Sequence, residues 1–384
     1  RDLLGLAQTG TGKTAAFVLP IVHRLMKGRR RNIRALILAP TRELAAQTNE
    51  TINALSLKTG LRSVAIFGGV AMSPQIQAVR RGAEIIVACP GRLLDLISQG
   101  NIELSGVETF VIDEADRMLD MGFLPDIRRI AGHLPWKRQT LLFSATMPED
   151  IRHLVDEMLT DAVTIEIDHT KPLETVYHAL YPVKQHLKAA LLKELLKRTD
   201  AGSVLVFTRT KHRAERLARQ LSHSGFRAAS LQGDLTQNRR RQAIEGFRDG
   251  SYQILVATDI AARGIDVSEI SHVINFDMPD TADAYTHRIG RTGRAAKTGE
   301  AFTFITHDDT NMVRTIERIL GEKLVRKTLA GFDYSRPDDT PVQAARTRQP
   351  RSRPAYPKAQ SKGKPIGTSR RSEADRYRTL ITSR

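Results

Sequence analysis

Along most of this chain, apolar residues come in short β-rich runs, each followed by a polar stretch with helical spacing. Ala35–Ala39, Ser63–Phe67, Glu84–Ala88, Thr109–Ile112, Thr140–Phe143 and Ala162–Ile167 read as strands. Helical patterns lie between them, such as Thr41–Leu57 and Pro148–Leu159. The pattern lapses over 168–177, which contains Lys171-Pro172, and then restarts. A helix over Leu187–Lys197 leads to a strand at Val204–Phe207 and a helix at Ala214–Leu221, which Gly225 ends. Then follow a strand at Ala228–Leu231, a helix after Thr236, and strands at Ile254–Thr258, Val273–Phe276 and Ala301–Ile305. A helix near Asn311–Leu320 closes the series. Strands alternating with helices imply a parallel sheet covered on both faces, with ligands at the carboxyl ends of the strands. The expected plan is α/β, with two tandem domains at 1–167 and 178–332 joined by a linker at 168–177. Residues 333–384 are rich in Arg, Lys, Pro, Ser and Thr. They cannot bury enough apolar surface to offset their ordering entropy, so a disordered basic tail is expected.

Composition narrows the function. The 384 residues carry a net charge of +17, with a pI near 10.2. Such a balance calls for a polyanionic partner, nucleic acid first and acidic membrane second. Residues 340–384 alone contribute +10. No apolar run reaches the ~18 residues of a membrane span, and no secretory signal is visible. Cys89 is the single cysteine, which excludes an intramolecular disulfide and fits a reducing compartment. A cytoplasmic protein without a membrane partner is expected. The chain opens on Arg1 at the strand entering its first motif, so an N-terminal truncation is expected too.

That motif is Ala7-Gln8-Thr9-Gly10-Thr11-Gly12-Lys13-Thr14, between an apolar run and a helical pattern. Strand, Gly-rich loop and helix are the context of a phosphate-binding loop. Gly10 and Gly12 let backbone N–H groups approach an anion, with Thr9 and Thr11 beside them. Lys13 can reach the β- and γ-phosphates, and the Thr14 hydroxyl can ligate Mg²⁺. Val111-Ile112-Asp113-Glu114-Ala115-Asp116 runs from a buried strand into three carboxylates, which repel one another unless a cation or donors meet them. The two stretches together make a nucleoside-triphosphate site with Mg²⁺: Asp113 on the metal, through water, and Glu114 deprotonating the attacking water.

Residues 113–116 read D-E-A-D, and with the motifs that follow the chain resembles the DEAD-box ATP-dependent RNA helicases. The resemblance spans residues 1 to about 325. Pro40, Thr41 and Arg42 follow one strand, Gly68-Gly69 the next, and Gly91 and Arg92 a third, where Cys89 stands in place of the family's usual Thr. Helix N-termini, paired glycines and arginines at strand ends suit backbone phosphates. The resemblance makes them RNA contacts, together with Arg209, Gly233, Gln237, Arg240, Thr258 and Asp259 in the second half. It also implies that Ser144 and Thr146 couple hydrolysis to strand separation through Asp116. Gly264 and Asp266 would meet the ATP ribose. His287-Arg288-Ile289-Gly290-Arg291-Thr292-Gly293-Arg294 matches the family's arginine-finger motif, with Arg291 and Arg294 on the γ-phosphate and His287 coupled to the acidic motif. The implied architecture is two RecA-like domains that share one nucleotide site and bind RNA largely without regard to sequence. A bacterial RhlE-type subgroup is expected, with ribosomal or RNA-degradation complexes as partners. The glutamine that reads adenine in this family would precede Arg1. Two rivals stay open: a DNA-translocating helicase on the same fold, and an ATP-gated RNA clamp that does not unwind.

Overall fold

Continuous Val/Ile/Leu/Ala runs bury both their faces, so they end up inside sheets rather than on them. The computed structural model describes residues 1–7, 11–167, 176–199, 202–262, 270–293 and 299–337. The first sheet uses β1 Leu3–Leu6, β2 Ala35–Leu38, β3 Ser63–Ile66, β4 Ile85–Ala88, β5 Thr109–Ile112, β6 Gln139–Ser144 and β7 Val163–Glu166. Its helices are α1 Lys13–Leu25, α2 Arg42–Ser56, α3 Met72–Arg80, α4 Pro90–Ser98, α5 Ala115–Asp120, α6 Leu124–Ala131 and α7 Glu149–Met158. All four residues of β2, β4 and β5 are buried.

The second sheet uses β8 Val176–Pro182, β9 Ser203–Phe207, β10 Ala228–Leu231, β11 Ile254–Ala257, β12 Ile270–Asn275, β13 Gly299–Ile305 and β14 Val325–Arg326. Its helices are α8 Lys188–Arg198, α9 Lys211–His223, α10 Gln237–Arg248, α11 Asp259–Ala262, α12 Ala282–Ile289 and α13 Thr310–Leu320. The strand orders are β3-β4-β2-β5-β6-β1-β7 and β10-β11-β9-β12-β13-β8-β14. Adding seven to each label of the first order gives the second. Every pairing between these strands is parallel. The expected pair of tandem α/β sheets is what the chain forms.

Four helices start on a threonine whose hydroxyl accepts the N–H three residues on: Thr41, Thr210, Thr236 and Thr281. Each cap satisfies an amide that the helix leaves unpaired.

Some boundaries differ from expectation. β8 opens at Val176, inside the segment read as a linker, and is itself unanticipated; residues 168–175 lie outside the described residues. The chain also packs beyond 332. Phe332 meets Tyr334 edge to face at 4.9 Å, and a ring nitrogen of His186 bonds the Arg336 carbonyl at 2.9 Å. The remainder of the expected tail, 338–384, lies outside the described residues. No helix among the described residues is long and apolar enough to cross a membrane.

Candidate functional site

Sheet order gathers the expected nucleotide residues. β5, β6 and β1 are neighbours, so their carboxyl ends deliver the acidic motif, the Ser144–Thr146 turn and the phosphate loop side by side. Gly12 has φ +89° and precedes the first turn of α1, which Lys13 and Thr14 open. The Lys13 ammonium donates to the Ala7 carbonyl at 2.6 Å, folding back over its own loop. An apolar cavity of about 430 Å³ opens on the loop's flank, lined by Leu3, Ala7, Lys13, Phe17, Ile21 and Phe143 among others. Thr9 and Gly10 lie outside the described residues, as do Gly264, Asp266 and Arg294.

The acidic motif is buried. Asp113 is 3% exposed, and its Oδ1 has no hydrogen-bond partner among the described residues. Burial first, and then the charge of Glu114, push its pKa up from 3.8 to about 7, against the opposing pull of Lys13. An unpartnered buried carboxylate oxygen facing a lysine-bearing phosphate loop fits a hydrated divalent cation, which would restore the charged form. Among the described residues no cluster of three or more His, Cys, Asp or Glu could hold a metal by itself.

Glu114 adopts the left-handed backbone region, with φ 53°, and its carboxylate accepts from Arg117 at 2.6 Å in a pair that is almost wholly buried. A non-glycine residue held there is strained, as residues at functional sites often are. Asp116 accepts the Ala145 and Thr146 N–H groups, both at 3.1 Å, and the Thr146 hydroxyl at 3.3 Å. The Ser144 hydroxyl donates to the Thr146 carbonyl at 2.7 Å. The motif that follows β6 is therefore held by the last carboxylate of the motif that follows β5. From the second half, His287 comes within electrostatic reach of Arg117 and Asp116. Burial, reinforced by Arg117, lowers its pKa. Arg291 lies close by and is 5% exposed.

The expected RNA residues also fall together. β3, β4 and β2 are adjacent at one side of the first sheet, and β10, β11 and β9 occupy the same three places in the second. Gly69 has φ +77°, and a Cβ there would meet the Arg42 guanidinium at 2.0 Å, so the glycine makes room for the arginine. Arg92 donates to the Val70 carbonyl at 3.2 Å, while its buried Nε has no hydrogen-bond partner among the described residues and lies 3.8 Å from the Asp95 carboxylate. Pro40 and Thr41 are buried, and the Thr41 hydroxyl caps α2. Gly68 is half-buried and Gly91 exposed. Burial, then Glu43, push the Cys89 thiol up to about 12, so it stays protonated.

Two contacts join the halves here. Arg240 binds Glu43 at 2.7 Å with both side chains about nine-tenths buried, and Arg42 donates to Gln237 at 3.5 Å. Gly233 is exposed, and Thr258 opens the short α11. Besides Arg240, which also donates to the Gln232 carbonyl at 3.3 Å, two residues of this set have their side chains engaged within the second half. Asp259 accepts a two-pronged contact from Arg288, both bonds at 2.6 Å. Arg209 reaches Asp280 at 3.3 Å, and its own N–H donates to Asp277.

Sequence reasoning passed over Arg117, and it placed Glu43 and Arg288 inside motifs without giving either a role of its own. Arg117 had a local signal, three residues after Glu114 on a helix. It also missed Lys188, the first residue of α8 as Lys13 is of α1. Lys188 is buried and donates to the Phe276 and Phe304 carbonyls at 3.0 and 3.3 Å.

Known proteins carry the same pattern. Residues 1–154 match the family model described as DEAD/DEAH box helicase, and residues 187–296 match the helicase conserved C-terminal domain. The chain is 43% identical over 327 residues to the DEAD-box ATP-dependent RNA helicase CshA of Bacillus subtilis, covering 85% of this chain and 66% of that protein. It is 42% identical over 329 residues to the CshA of Geobacillus kaustophilus, covering 85% and 70%. It therefore spans about two thirds of the length of the curated relatives it matches. Among solved structures, Saccharomyces cerevisiae Dbp5 bound to RNA and ADP BeF3 superposes with a TM-score of 0.74 at 33% identity, over 85% of each chain. The relatives named here carry the CshA name, and the RhlE subgroup stays an expectation.

Proposed function

Because this chain belongs to the DEAD-box helicase family, we propose that it is an ATP-dependent RNA helicase, which binds RNA across both halves and separates short duplexes or remodels RNA–protein complexes as it hydrolyses ATP. The observation that carries this is Asp113: a carboxyl oxygen, buried and unpartnered, between a phosphate loop and Glu114.

In this reading the first turn of α1 and Lys13 hold the β- and γ-phosphates of ATP, and Lys13 exchanges the Ala7 carbonyl for phosphate oxygen. Thr14 and Asp113 hold Mg²⁺, which supplies positive charge against the phosphate oxygens. Glu114 takes the proton of the attacking water, whose oxygen bonds to the γ-phosphorus as the bond to ADP breaks. Arg117 orients that carboxylate. Arg291 and Arg294 stabilise charge that develops on the transferred group. Asp116, Ser144, Thr146 and His287 carry the state of the nucleotide site to the RNA face. Arg42, Arg92, Gln237, Arg240 and Thr258 hold RNA phosphates there. A setting in the cytoplasm, with ribosomal or RNA-degradation complexes supplying the RNA, belongs to the same proposal and rests on the chain's basic charge.

Glu114→Gln tests it. The variant should bind ATP normally and lose turnover at saturating RNA by ~10²-fold or more. Near-normal kcat would remove Glu114 from the role. Stimulation of wild-type ATPase by matched DNA as strongly as by RNA would turn the substrate assignment against us.

A further inference from the structure

The edge of the first sheet opposite the nucleotide and RNA motifs carries a second basic surface. Three loops meet there at the amino ends of β2, β3 and β4, which lie in the order β3-β4-β2. The loop before β2 brings Arg29, Arg30 and Arg31; the loop before β3 brings Lys58 and Arg62; the end of α3, before β4, brings Arg81. All six side chains are exposed, and none forms an ion pair among the described residues.

The like charges are held together by design of the backbone. Glu84 is 2% exposed, and its two oxygens accept the N–H groups of Arg31 at 3.0 Å and Arg62 at 2.9 Å. One buried carboxylate thus fastens two basic loops side by side while leaving their guanidinium groups outside. Arg62 donates to the Arg81 carbonyl at 2.6 Å, and Arg30 to the Thr59 carbonyl at 3.0 Å. Arg31 takes a left-handed φ of 66° and packs so near Gly82 that a Cβ there would fall 2.8 Å from its own Cβ. Strand spacing sets these loops within ~10 Å of one another. Farther along the same edge, in the loop before β6, Trp136 is 95% exposed beside the exposed Lys137.

We propose that this edge binds the phosphate backbone of an RNA segment outside the cleft, such as the structured flank of the RNA being remodelled. The inference rests on the RNA reading above. Five of the six cations are arginines, whose planar forks match phosphate oxygens, and an exposed indole is a face for an unpaired base. Four-residue strands separate this edge from the motif edge by ~13 Å. A short strand confined to the cleft cannot touch it, and an RNA that continues past the cleft can fold back onto it.

The test uses the full chain with Arg29→Gln, Arg30→Gln, Arg62→Gln and Arg81→Gln together. The probes are a short single-stranded RNA that fills the cleft and the same strand extended into a hairpin. The variant should bind the short strand like wild type and the hairpin roughly tenfold more weakly at low salt. Its slope of log K against log salt for the hairpin should be shallower by about 3.6, at ~0.9 per arginine removed from a duplex stem. Equal hairpin affinity and slope in both proteins would overturn the proposal. So would loss of binding to anionic phospholipid vesicles with hairpin binding intact, which makes the edge a membrane surface. If the fourfold variant melts early, Arg29→Gln with Lys58→Gln, which breaks no hydrogen bond described above, should show the same preference at half the size. A wild-type ATPase that neither RNA stimulates would sink the helicase reading instead, a result visible before any variant is made.

Discussion

Asp113 makes the chemistry of single residues testable without catalysis. Its folded pKa is raised from 3.8 to about 7 by burial. Between those values the folded chain holds a proton that the unfolded chain has lost, so this residue's contribution to stability falls as pH rises through that window. Asp113→Asn keeps the shape and never ionises. Its Tm should match wild type near about pH 4 and exceed it by a few degrees near about pH 8, while ATPase is lost. A Tm difference that ignores pH would mean the carboxylate is already compensated. At this scale the sequence was informative about motif residues and silent about their partners. Asp113 and Lys13 stand out because their residue types and neighbours are unusual. Glu43 is invisible as the partner of Arg240, because 197 residues separate them and no local pattern joins them.

Elements were legible where their burial was uniform. The strands β2, β5 and β11 fall almost where the apolar runs put them, because a strand buried on both faces tolerates little else. β8 escaped notice because Val176–Pro182 includes His178 and ends in proline, which reads as a loop; inside the sheet, His178 is buried against the Tyr285 hydroxyl at 3.0 Å. Helix starts were legible to within a few residues, and the capping threonines account for the rest. The helix expected from Ala214 begins at Lys211 because Thr210 caps it. Thr210→Ala should therefore lower stability by about 1 kcal/mol, read from denaturant midpoints of the second half expressed alone and of the whole chain. No loss in either would show that water replaces the hydroxyl there.

At the scale of the molecule, the expected nucleotide residues are divided between the two sheets, and so are the RNA residues. A ligand that touches both halves favours their apposition, so ATP and RNA should tighten one another by the same factor. Arg291 would sense only the γ-phosphate. Arg291→Ala should leave ADP affinity nearly unchanged and remove about 1–3 kcal/mol of the tightening of RNA by a non-hydrolysable ATP analogue. RNA titrations with and without the analogue decide it, and equal tightening in both proteins would assign closure to another residue. The twin strand orders place equivalent positions of the two halves side by side for comparison. Lys188 stands where Lys13 stands, at the head of the helix after the equivalent strand, with its ammonium turned onto its own sheet's carbonyls. A contact that sets the phosphate loop of one unit against the arginines of the next is head-to-tail, and identical units would repeat it into a ring or filament. Here Lys188 is buried on carbonyls of its own sheet, so the second unit does not present that lysine to a following unit as the first presents Lys13.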